Sequence, residues 1–510
     1  MWNFIDNWLN RITMYRLVLY YLLTLWLTAL IFGALGLLPY QPPQLIVSAL
    51  IVMGVCLTTD QFFRRVFKAP TNAESVYITA FILLLIITPL SVNSLGWNQL
   101  PLLFWAAVWG TASKYIFAVG KKHIFNPAAI AVALTALVIN QSATWWVGGN
   151  LPLLPLVLIG GLLLVRKLRH ADLVWSFLVA TALSVSLTNW TQLNPLLALQ
   201  KAALHSPVFF FAFVMLTEPL TTPPDRWRRI NYGFLVGLLF APSIHIGSLY
   251  STPELALLIG NLFSYLISPK WKELVKLTAK TQIGQDIYDF SFTTNRPLSF
   301  RPGQYLEWTI HQDKTDNRGN RRYFTIASSP TEQIINLGIK FHTPASQFKK
   351  TLLHMQPGDT IAAGQLSGDF VLPRHKQTPL IFVAGGIGIT PFRSMIKYLI
   401  DNQEQRDIIL LYVCKSAKEF VYQDIFKQAA SVIGLKTIYI LTDNQLVPPS
   451  WDGYVGRLDE QIIQQAVPDY LDRTFYLSGP PSLITSFKTT LIKLNIKPRR
   501  IRTDFFPGFA

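Results

Sequence analysis

Up to about residue 268 the chain is a series of apolar runs separated by short loops, and no other feature constrains its fold as much. A helix of roughly 17–25 apolar residues crosses a bilayer. Runs near that scale, several of them shorter, are read at 15–38, 44–63, 74–90, 101–119, 126–140, 151–168, 171–188, 206–220, 232–247 and 253–267, about ten in all. So many in series, with almost no charge inside them, argue against a set of buried helices in a soluble bundle. Charged residues make up only 14% of the whole chain, where soluble domains average about 25%. After residue 269 charges become frequent and the pattern is that of a soluble α/β protein.

Loop charge orients the spans. Arg11 and Arg16 precede the first, and Arg64, Arg65 and Lys68 follow the second. Lys121 and Lys122 follow the fourth, and Arg166, Lys167 and Arg169 end the sixth. Arg226, Arg228 and Arg229 follow the eighth, and Lys270 and Lys272 the tenth; Lys201 is the exception in the alternate loops. Loops rich in Lys and Arg stay cytoplasmic, so both termini are expected there, in a bacterial-type inner membrane. The first span lacks a small-residue cleavage site and reads as a retained helix. The net charge of +17 is assigned largely to these loops, not to a nucleic-acid surface. Two cysteines, Cys56 and Cys414, exclude a disulfide scaffold and a cluster held by four thiolates. His123, His170, His205 and His245 form no pair at long helical spacing within a span, which argues against membrane b-haem. No metal site is expected.

In the second half, residues 274–292 alternate as a strand and Arg301-Pro302-Gly303-Gln304 makes a turn into another. Next comes Arg321-Arg322-Tyr323-Phe324-Thr325-Ile326-Ala327-Ser328-Ser329-Pro330. This stretch resembles the flavin-binding signature Arg-x-Tyr-Ser/Thr of the ferredoxin–NADP reductase superfamily, with Phe324 in place of Tyr. The resemblance implies an antiparallel β-barrel over 270–376 that binds FAD through Arg322, Tyr323, Phe324 and Thr325. A guanidinium grips a diphosphate in fork geometry, an aromatic ring stacks on the flavin, and the Thr325 hydroxyl meets flavin N5. Ser346, in Thr343-Pro344-Ala345-Ser346-Gln347, corresponds to a residue that serves the FAD diphosphate.

An apolar strand at 380–384 leads into Gly385-Gly386-Ile387-Gly388-Ile389-Thr390-Pro391. Glycines after a strand let the backbone approach a pyrophosphate, and the next helix N-terminus favours its charge. Further on, Ser478-Gly479-Pro480-Pro481 resembles the reductases' Cys-Gly-Pro-Pro motif at the nicotinamide, with Ser478 for Cys. The resemblance implies an α/β parallel-sheet domain over 377–510 for NADH or NADPH. Gly385, Gly386, Ile387, Gly388, Thr390, Pro391, Ser478, Gly479, Pro480 and Pro481 then hold the coenzyme. Phe506 and Phe509, in the terminal Asp504-Phe505-Phe506-Pro507-Gly508-Phe509, are candidates for covering the flavin ring. Asp504 joins Thr325 and Ser478 as a candidate catalytic residue.

Two motifs lie in the apolar half: Lys121-Lys122-His123-Ile124-Phe125-Asn126-Pro127, and Thr217-Glu218-Pro219. They resemble motifs of the membrane subunits Rnf D and sodium-pumping NADH:quinone reductase B, whose Thr-Asp-Pro stands where this chain has Thr217-Glu218-Pro219. The likeness covers most of 40–250 and makes 1–269 a polytopic membrane domain. Lys121, Lys122, Asn126, Thr217 and Glu218 are the residues expected at a second flavin or quinone site. The relatives' Ser-Gly-Ala-Thr-like FMN attachment site has no counterpart, so FMN or another flavin there is expected to be noncovalent. Asp60, Glu74, Asp172, Glu218 and Glu254 all fall near span ends and mark no mid-membrane ion path.

The expectation is a membrane-bound NAD(P)H oxidoreductase. Hydride passes to FAD on the cytoplasmic side, then electrons pass to a flavin or quinone in the membrane domain. Two alternatives stay open: a transmembrane route to an external acceptor such as ferric ion or oxygen, and a flavin or anion transport module coupled to a reductase. Expected partners are membrane lipid, NAD(P)H, an electron acceptor and other electron-transfer proteins.

Overall fold

The structure, a computed structural model, describes residues 5–6, 8–9, 12–67, 73–91, 96–119, 122–189, 194–241, 244–247, 249–268, 271–310, 320–341 and 345–504. The chain divides into two compact units that part between residues 268 and 269.

The first unit is helical. Among the described residues, Met14–Ala34, Pro42–Phe67, Leu151–Leu168 and Ala171–Thr188 are long and apolar enough to cross a membrane. Glu74–Ile86, Pro127–Ile139 and Pro253–Ile267 are shorter apolar helices. The apolar run at 206–220 is not one helix. Val208–Phe210 is followed by a π-helical turn, Phe211–Met215, in which Leu216 N bonds Phe211 O at 2.9 Å. With Pro195–His205, which falls where the sequence reads as a loop, it makes a pair bent by 66° that counts as a fifth span if taken as one. The helix expected at 232–247 instead runs Arg226–Leu239, because Asp225 caps it by accepting from Arg228 N at 3.0 Å. His245–Ile246 then pairs with Leu249–Tyr250 as a short antiparallel ladder.

Small residues let these helices touch. A Cβ on Gly233 would meet Leu173 O at 2.6 Å, and one on Gly237 would meet Ala180 Cβ at 2.8 Å. On the same seam Ser176 Oγ donates to Ile230 O at 2.7 Å, and Ser184 Oγ to Leu238 O at 2.9 Å. Glycine and serine at such contacts bring backbones close without leaving a hydroxyl unpaired.

The second unit has two lobes. In the first, six antiparallel strands are ordered Arg321–Thr325, Tyr305–Thr309, Thr360–Ser367, Lys272–Gly284, Ile287–Thr293 and Ile335–Lys340. The stretch read as one strand at 274–292 is a hairpin, turned at Gln285-Asp286 with Asp286 at φ 56°. The edge strands are continued by a bond from Ala327 N to Asn336 O at 2.8 Å. Val275, Leu277, Phe290, Phe292, Leu306 and Trp308 fill the core.

The second lobe is a six-stranded parallel sheet ordered Tyr454–Val455, Lys436–Leu441, Ile408–Cys414, Leu380–Gly385, Thr474–Ser478 and Ile501–Thr503. Its central strands bury alternate residues on opposite faces. Leu380, Phe382 and Ala384 join one core while Ile381 and Val383 join the other. From Leu380–Gly385 the chain first builds outward on one side, then returns to place Thr474–Ser478 on the other. The strand order therefore reverses beside Leu380–Gly385, and ligands of open parallel sheets sit beyond the strand ends at such a point.

Candidate functional site

Both coenzyme motifs of the sequence occupy that reversal. Gly385 ends one central strand and Ser478 ends its neighbour, with Ala384 paired to Ser478. The turns beyond them are interlocked: a Cβ on Gly388 would lie 2.5 Å from Ser478 C and O. One on Gly479, at φ 155°, would meet Gly385 Cα at 3.1 Å. Gly386, at φ 54°, faces open space; its left-handed backbone is one that glycine adopts without strain. Gly386–Ile389 forms a 3-10 turn and Thr390–Asp401 a helix with Pro391 in its first turn. Thr390 Oγ1 donates back to Ile387 O at 3.3 Å. Pro480 and Pro481 open the helix Pro481–Lys493 in the same way. A bare backbone cradle before a helix N-terminus suits a dinucleotide pyrophosphate.

Asp504 joins this group. Its N donates to Leu477 O at 2.9 Å, and its Oδ2 accepts from the buried Ser478 Oγ at 3.1 Å. The three candidate catalytic residues are thus split: Ser478 and Asp504 touch, and Thr325 stands on the other lobe. Phe506 and Phe509 lie outside the described residues.

On the first lobe, the strand Arg321–Thr325 presents Arg322 and Phe324 on one face and Tyr323 and Thr325 on the other. The Arg322 guanidinium lies 5.4 Å from the Phe348 ring, and Phe324 packs 5.9 Å from the same ring. Phe348 belongs to the helix Gln347–His354, capped by Ser346, whose Oγ accepts from Lys349 N at 3.3 Å. A guanidinium and a helix N-terminus are thereby gathered around one aromatic ring, a donor set suited to the diphosphate of FAD. Tyr323 faces away from them. Its hydroxyl donates to Glu307 Oε2 at 3.0 Å, and its ring packs 5.6 Å from Tyr305. Thr325 is 5% exposed.

In the helical unit, the two short motifs meet. His123 Nε2 lies 2.9 Å from Glu218 Oε1. Asn126 caps the helix Pro127–Ile139, its Oδ1 accepting from Ala128 N and Ala129 N at 3.1 and 3.0 Å. Its Nδ2 reaches Met215 O at 3.5 Å, at the end of the π-helical turn. Thr217 donates to Phe213 O at 2.6 Å and faces its own segment. Lys121 and the side chain of Lys122 lie outside the described residues.

Sequence reasoning missed two supports of this pair. Asn261 Oδ1 accepts from Asn126 N at 2.8 Å, and Asn261 Nδ2 donates to Tyr232 OH at 3.0 Å. A lone Asn inside the apolar run 253–267 is the signal that marks it. It also missed Lys114, which donates to Ser75 O and Oγ at 2.7 and 3.1 Å from within an apolar helix.

Comparison with known proteins finds three family matches along the chain. Residues 274–370 match the Oxidoreductase FAD-binding domain, and residues 382–489 the Oxidoreductase NAD-binding domain. Residues 153–274 match the NQR2, RnfD, RnfE family, a match that takes in Glu218 but begins beyond Asn126. A flavohemoprotein of Bacillus subtilis is 25% identical over 46% of this chain and 60% of its own length. The glycine betaine monooxygenase reductase subunit of Pseudomonas aeruginosa is 25% identical over 46% of this chain and 64% of its own. The flavohem-like FAD/NAD binding domain of nitric oxide dioxygenase from Vibrio cholerae O1 biovar El Tor is 18% identical, with a TM-score of 0.40 over 46% of this chain and 98% of that one. The chain spans less than two thirds of the curated relatives it matches. Its second half thus matches an oxidoreductase FAD-binding domain followed by an oxidoreductase NAD-binding domain, and the stretch before them matches the NQR2, RnfD, RnfE family.

Proposed function

We propose that the protein is a membrane-bound NAD(P)H oxidoreductase built of a polytopic domain over 1–269, an FAD domain over 270–376 and an NAD(P) domain over 377–510. The observation that carries this reading is the interlock of Gly388 with Ser478 at the sheet reversal. Arg322 and Ser346 hold the FAD diphosphate, and Phe324 packs on the face they share. Thr325, at the end of the strand where the chain leaves it, would offer its hydroxyl to flavin N5 from beyond the face that Arg322 and Phe324 share. Gly385–Pro391 and Ser478–Pro481 hold the coenzyme, and Asp504 orients the Ser478 hydroxyl beside the nicotinamide. FAD held by these residues would supply the chemistry, accepting the hydride of NAD(P)H as an electron pair and releasing the electrons singly.

The polytopic domain crosses the membrane about ten times, with both termini cytoplasmic: Glu74–Ile86, Leu100–Ile116, Pro127–Ile139, Arg226–Leu239 and Pro253–Ile267 complete the spans beside the four long helices and the bent pair. Electrons leave the soluble half for a quinone or noncovalent flavin held near His123, Asn126 and Glu218. Their convergence supports this destination. The test is reoxidation of the full-length protein in detergent, reduced anaerobically with NAD(P)H. A water-soluble quinone analogue is expected to reoxidise it, and Glu218→Gln to slow reoxidation at least fivefold (about 1 kcal/mol) without slowing reduction. Rapid reoxidation by a ferric chelate, with the quinone inert, would place the acceptor elsewhere.

A further inference from the structure

A buried ionic seam joins the two lobes of the second unit. Arg393 stands in the helix opened by the glycine-rich turn and is only 6% exposed. Its Nη1 donates to Ala327 O at 3.0 Å, and its two terminal nitrogens grip Glu332, Nη2 to Oε1 at 2.9 Å and Nη1 to Oε2. Glu332 in turn accepts from Ser329 N at 2.6 Å. The neighbouring Ser394 donates to Ser328 O at 2.6 Å. The residues seized are thus Ala327, Ser328 and the turn they enter, beginning two residues after Thr325. On the far side the guanidinium lies 5.6 Å from the Tyr422 ring, and Tyr422 OH donates to Asp289 Oδ1 at 3.2 Å. Gly338 closes the seam: a Cβ there would stand 2.5 Å from Tyr422 Oη and 2.8 Å from Thr390 Cγ2.

A buried ion pair is weak evidence for stability, since neutral groups of similar volume often replace it without loss. What it provides here is geometry. The fork is planar and two-pronged, and a lysine cannot reproduce it. One end is tied to the strand bearing Thr325, the other to the turn bearing Gly388 and Thr390. Hydride transfer needs its reacting atoms about 3–3.5 Å apart, and a misplacement of about 1 Å costs on the order of 100-fold.

We infer that Arg393, paired with Glu332, is a positioning residue that sets the distance between flavin and nicotinamide; this rests on the functional reading above. The test is anaerobic stopped-flow reduction of the full-length protein in detergent. The neutral double variant Arg393→Gln/Glu332→Gln strands no buried charge. It is expected to keep its FAD and to bind coenzyme within about threefold of wild type. Its limiting rate of flavin reduction falls at least tenfold, about 1.4 kcal/mol, and the long-wavelength charge-transfer band of its coenzyme complex weakens. Arg393→Lys falls between. Gly338→Ala wedges the same seam with no change of charge and should repeat the signature, so it carries the test if the double variant does not fold. A limiting rate within twofold of wild type, or equal losses in rate and coenzyme affinity, would overturn the inference. A wild-type protein that coenzyme does not reduce would instead remove the functional reading, and the inference with it.

Discussion

Arg322 and Tyr323 are adjacent in sequence and point to opposite faces of one strand, which is why the motif could be found by reading and its roles could not. Type and order of residues mark Arg322-Tyr323-Phe324-Thr325, but strand alternation decides which of them share a ligand. Arg322 meets Phe348 while Tyr323 bonds Glu307. Arg322→Ala should therefore lower FAD retention at least tenfold, with NAD(P)H binding changed less than threefold (below about 0.7 kcal/mol). Flavin content after dialysis, set beside coenzyme titration, checks this, and equal losses would count against the assignment. Arg393 and Glu332 were not legible at all. They are 61 positions apart, and only the docking of the lobes makes them partners. Asp289 beside them gives a pH prediction. Burial pushes its carboxyl above the usual range, against the pull of Arg393 and its bond from Tyr422. A carboxyl whose folded pKa is raised contributes stability that is complete below its unfolded value and is lost as pH rises through the folded one. Asp289→Asn lacks that loss. Its thermal midpoint relative to wild type should be more favourable at pH 8 than at pH 4, as read by flavin release on heating. A difference independent of pH would contradict the shift.

At the scale of elements, the parallel sheet was the most legible part, because apolar strands and glycine turns leave strong local signals. Its spatial order was not, yet the order is what brings Gly388 against Ser478 from distant stretches of chain. Gly388→Ala is accordingly expected to raise the NAD(P)H dissociation constant at least tenfold while FAD stays bound. Coenzyme titration checks it, and unchanged affinity would mean that the turn relaxes freely. The broken run at 206–220 shows the opposite case. Apolar length says nothing about hydrogen-bond register, so the change to π-helical pairing at Phe211–Met215 leaves no trace in hydropathy. The turn at Gln285-Asp286 was hidden for a related reason: alternation continues through the hairpin, and only the backbone of Asp286 reverses.

For the molecule as a whole, the chain parts into two compact units between residues 268 and 269, and the sequence before that point is the poorer in charge. The meeting of His123 with Glu218 was beyond reach, since these residues are 95 positions apart, His123 in a two-residue strand and Glu218 in the turn after Phe211–Met215. The helical unit then supplies a polar cluster in an apolar setting, and the second unit supplies the two cradles proposed for nucleotides, one on each lobe. The central claim is that these cradles pass hydride from a nicotinamide to a flavin. Anaerobic addition of NADH or NADPH to the purified, full-length protein tests it most directly, followed by absorbance near the flavin bands. One FAD per chain, bleached by at least one of the two coenzymes, is the result expected. A bound flavin that stays oxidised with both, or a protein that binds no FAD, would contradict it.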